Sequence, residues 1–110
     1  MFGSYYLETN YKMKIRLNAN IPNELKVIMA DIIIDFSKKN NLKAECRNQT
    51  IIIEGIGDAN DFAHIGIVMS ELRKTDWFMN NVIYWIFYDS EGGAEDLILH
   101  YKSKNLAKDN

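Results

Sequence analysis

The sequence predicts an α+β fold: one antiparallel sheet with two helices packed on one of its faces. Three observations predict it. Two stretches carry apolar residues at three- and four-residue steps, and five are alternating or rich in β-branched and aromatic residues. They occur in the order β-α-β-β-α-β with one strand added at the end. The chain has 110 residues, 47% hydrophobic and 25% charged, which supplies one hydrophobic core and not two. A single domain over 1–101 is expected, followed by a polar tail at 102–110.

Tyr11, Met13, Ile15 and Leu17 alternate with Lys12, Lys14 and Arg16, the period of a strand with one wet and one buried face, and place strand 1 at 11–18. Pro22 then fixes φ at a first helical position, with Asn20 or Asn23 available to cap. Leu25, Ile28, Met29, Ile32 and Phe36 form the expected inward stripe of a helix over 23–39, which Asn40-Asn41 end. Leu42, Ala44 and Cys46 alternate with Lys43, Glu45 and Arg47. Asn48-Gln49 interrupts before Thr50-Ile51-Ile52-Ile53, so this segment reads as a hairpin. A second helix is expected over 59–74, with Asp58 or Asn60 as cap and Phe62, Ile65, Met69 and Leu72 inward. Val82 to Tyr88 is one uninterrupted apolar and aromatic strand. Asp89-Ser90-Glu91-Gly92-Gly93 supplies turn chemistry before a last strand in which Leu97, Leu99 and Tyr101 share a side.

With these elements in this order, the arrangement resembles a ferredoxin-like sandwich. That resemblance implies the strand order 5-4-1-3-2, with the last hairpin extending one edge.

Several function classes are disfavoured. The single cysteine, Cys46, cannot form an internal disulfide, and it falls on the expected inward side of its strand as a buried structural thiol. No charged leader precedes an apolar run, and no run approaches the roughly 20 residues of a membrane helix, so a soluble cytoplasmic protein is expected. His64 and His100 have no ligand-type neighbours at zinc spacing, and Asp89, Glu91, Glu95 and Asp96 do not follow a calcium-loop pattern. No metal or other cofactor is therefore expected. Gly55-Ile56-Gly57 lacks the third glycine of a dinucleotide loop and the lysine of a phosphate loop. With no nucleophile elbow and no local Ser/His/Asp set, the protein is not expected to be an enzyme.

Charge is distributed unevenly. Residues 1–47 hold eight basic and five acidic side chains, residues 48–101 two and nine, and residues 102–110 three and one. An acidic surface repels phosphates, so direct nucleic-acid binding through the second half is disfavoured. The same carboxylates suit a cationic partner. Strand 82–88 is apolar on both sides: Ile83, Trp85 and Phe87 are expected to point one way and Val82, Tyr84, Ile86 and Tyr88 the other. Two helices cover only one face. The second face must meet residues 1–10, another molecule, or a second copy of the chain. Asp76-Trp77-Phe78, read as a loop, adds aromatic area of the kind that anchors interfaces. The candidate partner-binding residues are therefore Asp76, Trp77, Tyr84, Tyr88, Asp89, Glu91, Glu95 and Asp96.

Trp77-Phe78 together with the run from Tyr84 through Trp85, Tyr88 and Glu91 to Asp96, in a chain of this size, resembles small bacterial toxin-immunity proteins, including those of contact-dependent growth inhibition. The resemblance covers size and the acidic, aromatic second half. It implies stoichiometric inhibition of a cognate toxin, a nuclease with a basic site. The alternative expectation is a homodimeric ferredoxin-like small-ligand-binding protein or a cofactor-free oxygenase, with the aromatics lining a pocket.

Overall fold

The computed structural model of the chain describes residues 11–102. The strands are β1 (Lys12–Leu17), β2 (Lys43–Arg47), β3 (Thr50–Glu54), β4 (Val82–Tyr88) and β5 (Ala94–Asp96). The helices are α1 (Asn23–Lys39), α2 (Asp61–Arg73) and α3 (Asp76–Met79), and a further helical stretch, α4, occupies 97–102. The sheet order is β2-β3-β1-β4-β5 with every neighbouring pair antiparallel; the first four strands stand in the expected order, while the edge beside β4 is taken by Ala94–Asp96 and not by the expected strand from Leu97. No helix among the described residues is long and apolar enough to cross a membrane. The expected cover by residues 1–10 and the tail at 103–110 lie outside the described residues.

Alternation in β1 and β3 buries Met13, Ile15, Ile51 and Ile53 against the helices. Trp85 of β4 lies opposite Ile15 and joins them. Its indole N–H donates to the Met13 thioether at 3.4 Å, and its ring meets Phe78 edge-on at 5.0 Å. The indole therefore has both its polar and its packing requirements met inside the core, where an edge-on ring pair adds about 0.5–1.5 kcal/mol beyond area burial. Ile33 of α1, and Ile65, Val68 and Leu72 of α2, close the core from the helix side.

Several expected faces are corrected. In α1 the buried residues are Met29, Ile33 and Ser37, whereas Leu25, Ile28 and Ile32 are exposed. Apolar residues spread over more than half of this helix's circumference, so sequence periodicity does not fix its rotation. Ser37 is tolerated inside because its hydroxyl donates to the Ile33 carbonyl at 2.8 Å. Phe62 of α2 is likewise exposed, its ring resting 5.1 Å from that of Tyr11. Pro22 occupies the N-cap position of α1 rather than its first turn, and no side chain caps that end.

The β1–β4 ladder shifts register between Arg16 and Leu17: Arg16 faces Tyr84, but Leu17 faces Val82. Ile83 is the extra residue, and it is ejected from the alternation into solvent while Val82 turns inward against the core. Trp77-Phe78, expected in a loop, forms the short helix α3, with Phe78 buried. The expected strand around Leu97 to Tyr101 is the helical stretch α4. Asp96 ends β5, and its Oδ1 accepts the N–H groups of Ile98 and Leu99 at 3.0 and 3.2 Å, which starts a helix in place of continuing the strand.

Candidate functional site

The face of the sheet opposite the helices is covered by no helix among the described residues. Its centre is the outward row of β1, Lys12, Lys14 and Arg16. The register places Tyr88, Ile86 and Tyr84 beside that row on one side, and Glu54 and Ile52 beside Lys12 and Lys14 on the other. Ala94 and Asp96 extend the face past Tyr88 and Ile86. The hydroxyls of Tyr84 and Tyr88 lie 3.3 Å apart, and the ammonium groups of Lys12 and Lys14 each sit 5.6 Å from the Tyr88 ring centre. The hydrogen bond from Tyr88 raises the pKa of Tyr84 above its ordinary 10.0, with desolvation as a smaller contribution in the same direction. Tyr84 is thus held as a neutral phenol beside the Tyr88 hydroxyl, on a surface with apolar, aromatic and cationic character.

The eight residues singled out from sequence fall into three groups. Tyr84, Tyr88 and Asp96 share the open face, and Asp89 and Glu91 lie in the β4–β5 turn at its corner. Glu95 is opposite Phe87, on the helix side, and reaches the His100 imidazole at 2.9 Å. Asp76 and Trp77 lie on α3, whose Phe78 packs into the core on the helix side. Several of the acids also have local structural partners. Asp89 Oδ1 accepts the N–H groups of Glu91 and Gly93, each at 2.8 Å, and so shapes the turn, while Asp96 caps α4. Glu91 is exposed at the turn.

A second feature was not anticipated from sequence. A cavity of about 330 Å³ opens between the first half of α1 and the end of the sheet. Leu17, Val27, Ala30, Ile51 and Ile83 supply its apolar lining, and Lys26, Arg16, Asp31 and Cys46 also border it. Cys46 is exposed at this cavity and is not the buried thiol expected from alternation. The reason is positional. β2 is an edge strand, and only its Ala44 is drawn partly into the core. The one sequence signal for the cavity is Lys26, which lies one helical turn before Met29 and Ala30, on the inward side of α1.

A third polar site organises the loop ahead of α2. Asp61 is only 3% exposed, and its carboxylate accepts the N–H groups of Ile56 at 3.1 Å, Gly57 at 2.8 Å and Asp58 at 3.0 Å. Gly55 allows this approach, because a Cβ there would fall 2.4 Å from Asp61 Oδ2. The Gly-Ile-Gly segment is thus filled by the chain's own carboxylate. Among the described residues, no three His, Cys, Asp or Glu side chains gather as a metal-binding group.

Comparison with family models, with curated proteins and with solved structures finds no match to this chain.

Proposed function

We propose that the protein is a stoichiometric inhibitor of the immunity type. In this reading it catalyses no reaction of its own and binds a cognate protein toxin, a nuclease with a basic site. Its contact surface is the corner of the open sheet face where Tyr84 and Tyr88 adjoin Asp89, Glu91 and Asp96. One observation carries the reading: the β4–β5 hairpin gathers two tyrosines and three carboxylates within residues 84–96 at the corner of a sheet face that no described helix covers. Tyrosines at such a site offer large, rigid contact area with a polar end, which is what interface anchors require. The adjoining carboxylates would steer a basic partner and set its association rate more than its residence time. Glu95, Asp76 and Trp77 are left out of this surface, because they lie on other sides of the fold. Lys12 and Lys14 against the Tyr88 ring make the face mixed in sign, so the matching patch on the toxin carries acidic groups opposite β1 and basic groups opposite the turn. The finer fold reading is a ferredoxin-like sandwich with an added edge strand. The element order and the sheet order β2-β3-β1-β4 support it.

The test is co-expression with the product of the adjacent gene, scored as rescue of growth and as a purified one-to-one complex. Y84A/Y88A is expected to abolish both while the chain still unfolds cooperatively, and Glu91→Lys to slow association. Rescue that persists in Y84A/Y88A, or rescue without a complex, refutes the proposal.

A further inference from the structure

We propose that the cavity between α1 and the sheet is a binding site for a medium-chain carboxylate, an acid with an unbranched apolar tail. This site shares Arg16 with the end of the open face but none of the tyrosines or turn acids there, and it does not depend on the inhibitor reading. Three observations place the ligand. The first is shape and lining. A volume of about 330 Å³ is at the lower end of small-molecule sites and holds roughly ten water-sized groups. Leu17 and Ile51 border it, and Val27 and Ile83 contribute apolar side chains that are 59% and 58% exposed. The bulge in β4 is what frees Ile83 from the ladder for this role, and an apolar tail would cover both exposed residues.

The second observation is charge. Lys26 lies on the inward side of α1, where a core residue would otherwise stand, and is half-buried. It forms no ion pair among the described residues. A half-buried ammonium against an apolar wall favours an anion that brings its own hydrocarbon, since the pair then forms away from bulk water. The third observation is the end of the helix. Asn23 begins α1 at the mouth of the same cavity, and that end has no side-chain cap, so its first N–H groups and the positive end of the helix dipole lie beside Lys26. Asp31 stands about 7.5 Å further along the helix axis, at 1.5 Å per residue, which sets the direction of binding: carboxylate toward Asn23 and Lys26, tail away from them.

Cys46 provides the readout, because it is the only cysteine in the chain and borders the cavity. Octanoate is expected to slow alkylation of Cys46 by iodoacetamide saturably, and 1-octanol to do so about tenfold less effectively at equal concentration. Lys26→Gln should remove that difference while leaving protection by octanol unchanged. Ile83→Glu, at an exposed position that the fold does not need filled, should abolish protection by octanoate. Absence of saturable protection, or full protection in the Ile83→Glu variant, overturns the site. Equal protection by octanoate and octanol in the unsubstituted protein overturns the carboxylate assignment.

Discussion

Replacing Asp61 by alanine probes the local device that joins β3 to α2. The carboxylate accepts three backbone N–H groups at 2.8–3.1 Å from inside the fold. Hydrogen bonds to a charged group contribute about 1.5–3 kcal/mol each, which would give roughly 5–9 kcal/mol if the three were independent. They are not. The donors belong to Ile56, Gly57 and Asp58, all exposed residues, so water can take up the N–H groups once the carboxylate is gone. Alanine also removes the desolvation cost of the buried charge. A net loss of about 2–4 kcal/mol is expected, which at this chain length lowers the melting temperature by about 8–16 °C. Urea unfolding followed by far-UV circular dichroism, with the slope compared between variants, measures it. In Asp61→Asn, the single amide oxygen can serve Gly57 and Asp58, but the side chain must then turn an NH₂ toward the Ile56 N–H. That variant should lose about half as much as Asp61→Ala. A loss below about 1 kcal/mol for Asp61→Ala would show that water already satisfies the loop, and the reasoning would be refuted.

Gly55→Ala should cost at least about 2 kcal/mol, because its Cβ would press on an Asp61 carboxylate held in place by three donors; the G55A/D61A double variant should lose less than the two single losses added, as denaturant titration would show. At Gln49, which has φ +66°, glycine is expected to stabilise the β2–β3 turn by about 0.5–1 kcal/mol in the same assay. Phenol titration followed near 295 nm should find Tyr84 ionising above the ordinary range, and Tyr88→Phe should return it toward that range. Burial raises the pKa of Tyr101 in the folded state, the nearby Arg73 opposing it only in part. Folding therefore favours the neutral phenol, and its contribution is complete below the ordinary value of 10.0 and lost as pH rises through the folded value. Tyr101→Phe should flatten the fall in stability above pH 10, measured by thermal melts across that range.

Elements whose signals are local were legible in the sequence. Helix 23–39 and strand 82–88 have the expected bounds, and Asn41 at φ +62° and Asn48 at φ +52° take the left-handed conformations that their side chains tolerate. Faces were less legible, because they depend on what lies opposite. Leu25, Ile28 and Ile32 match a helical stripe as well as Met29 and Ile33 do, and the position of β2 and β3 under α1 decides between them. The stretch after Asp96 fits two periods, since Leu97 and Tyr101 are four apart as well as even-spaced, and the missed signal was the capping aspartate. Of the candidate site, the tyrosines and the turn acids were readable from alternation along β4. The cationic row of β1 beside Tyr88 was not, because it arises from pairing across some 70 residues of chain; the separation of Glu95 follows from the β4–β5 register that sets it opposite Phe87, and that of Asp76 from α3, a helix where a loop is expected. The cavity depends on a register shift that no local pattern announces.

The middle strand of the sheet, β1, is paired on one side by β4, the last long strand. On a ribosome adding about 5–20 residues per second, β1 would wait roughly 4–14 s after its own synthesis for that neighbour. Until then, one rim of β1 presents unpaired amide and carbonyl groups to any passing extended segment. The β2–β3 hairpin and α1 can form from nearby sequence in the meantime, but the tryptophan that completes the interior arrives with β4 itself. Assembly of this domain is therefore gated by its distal third, and nascent chains stalled before residue 82 should be the species most prone to intermolecular sheet growth.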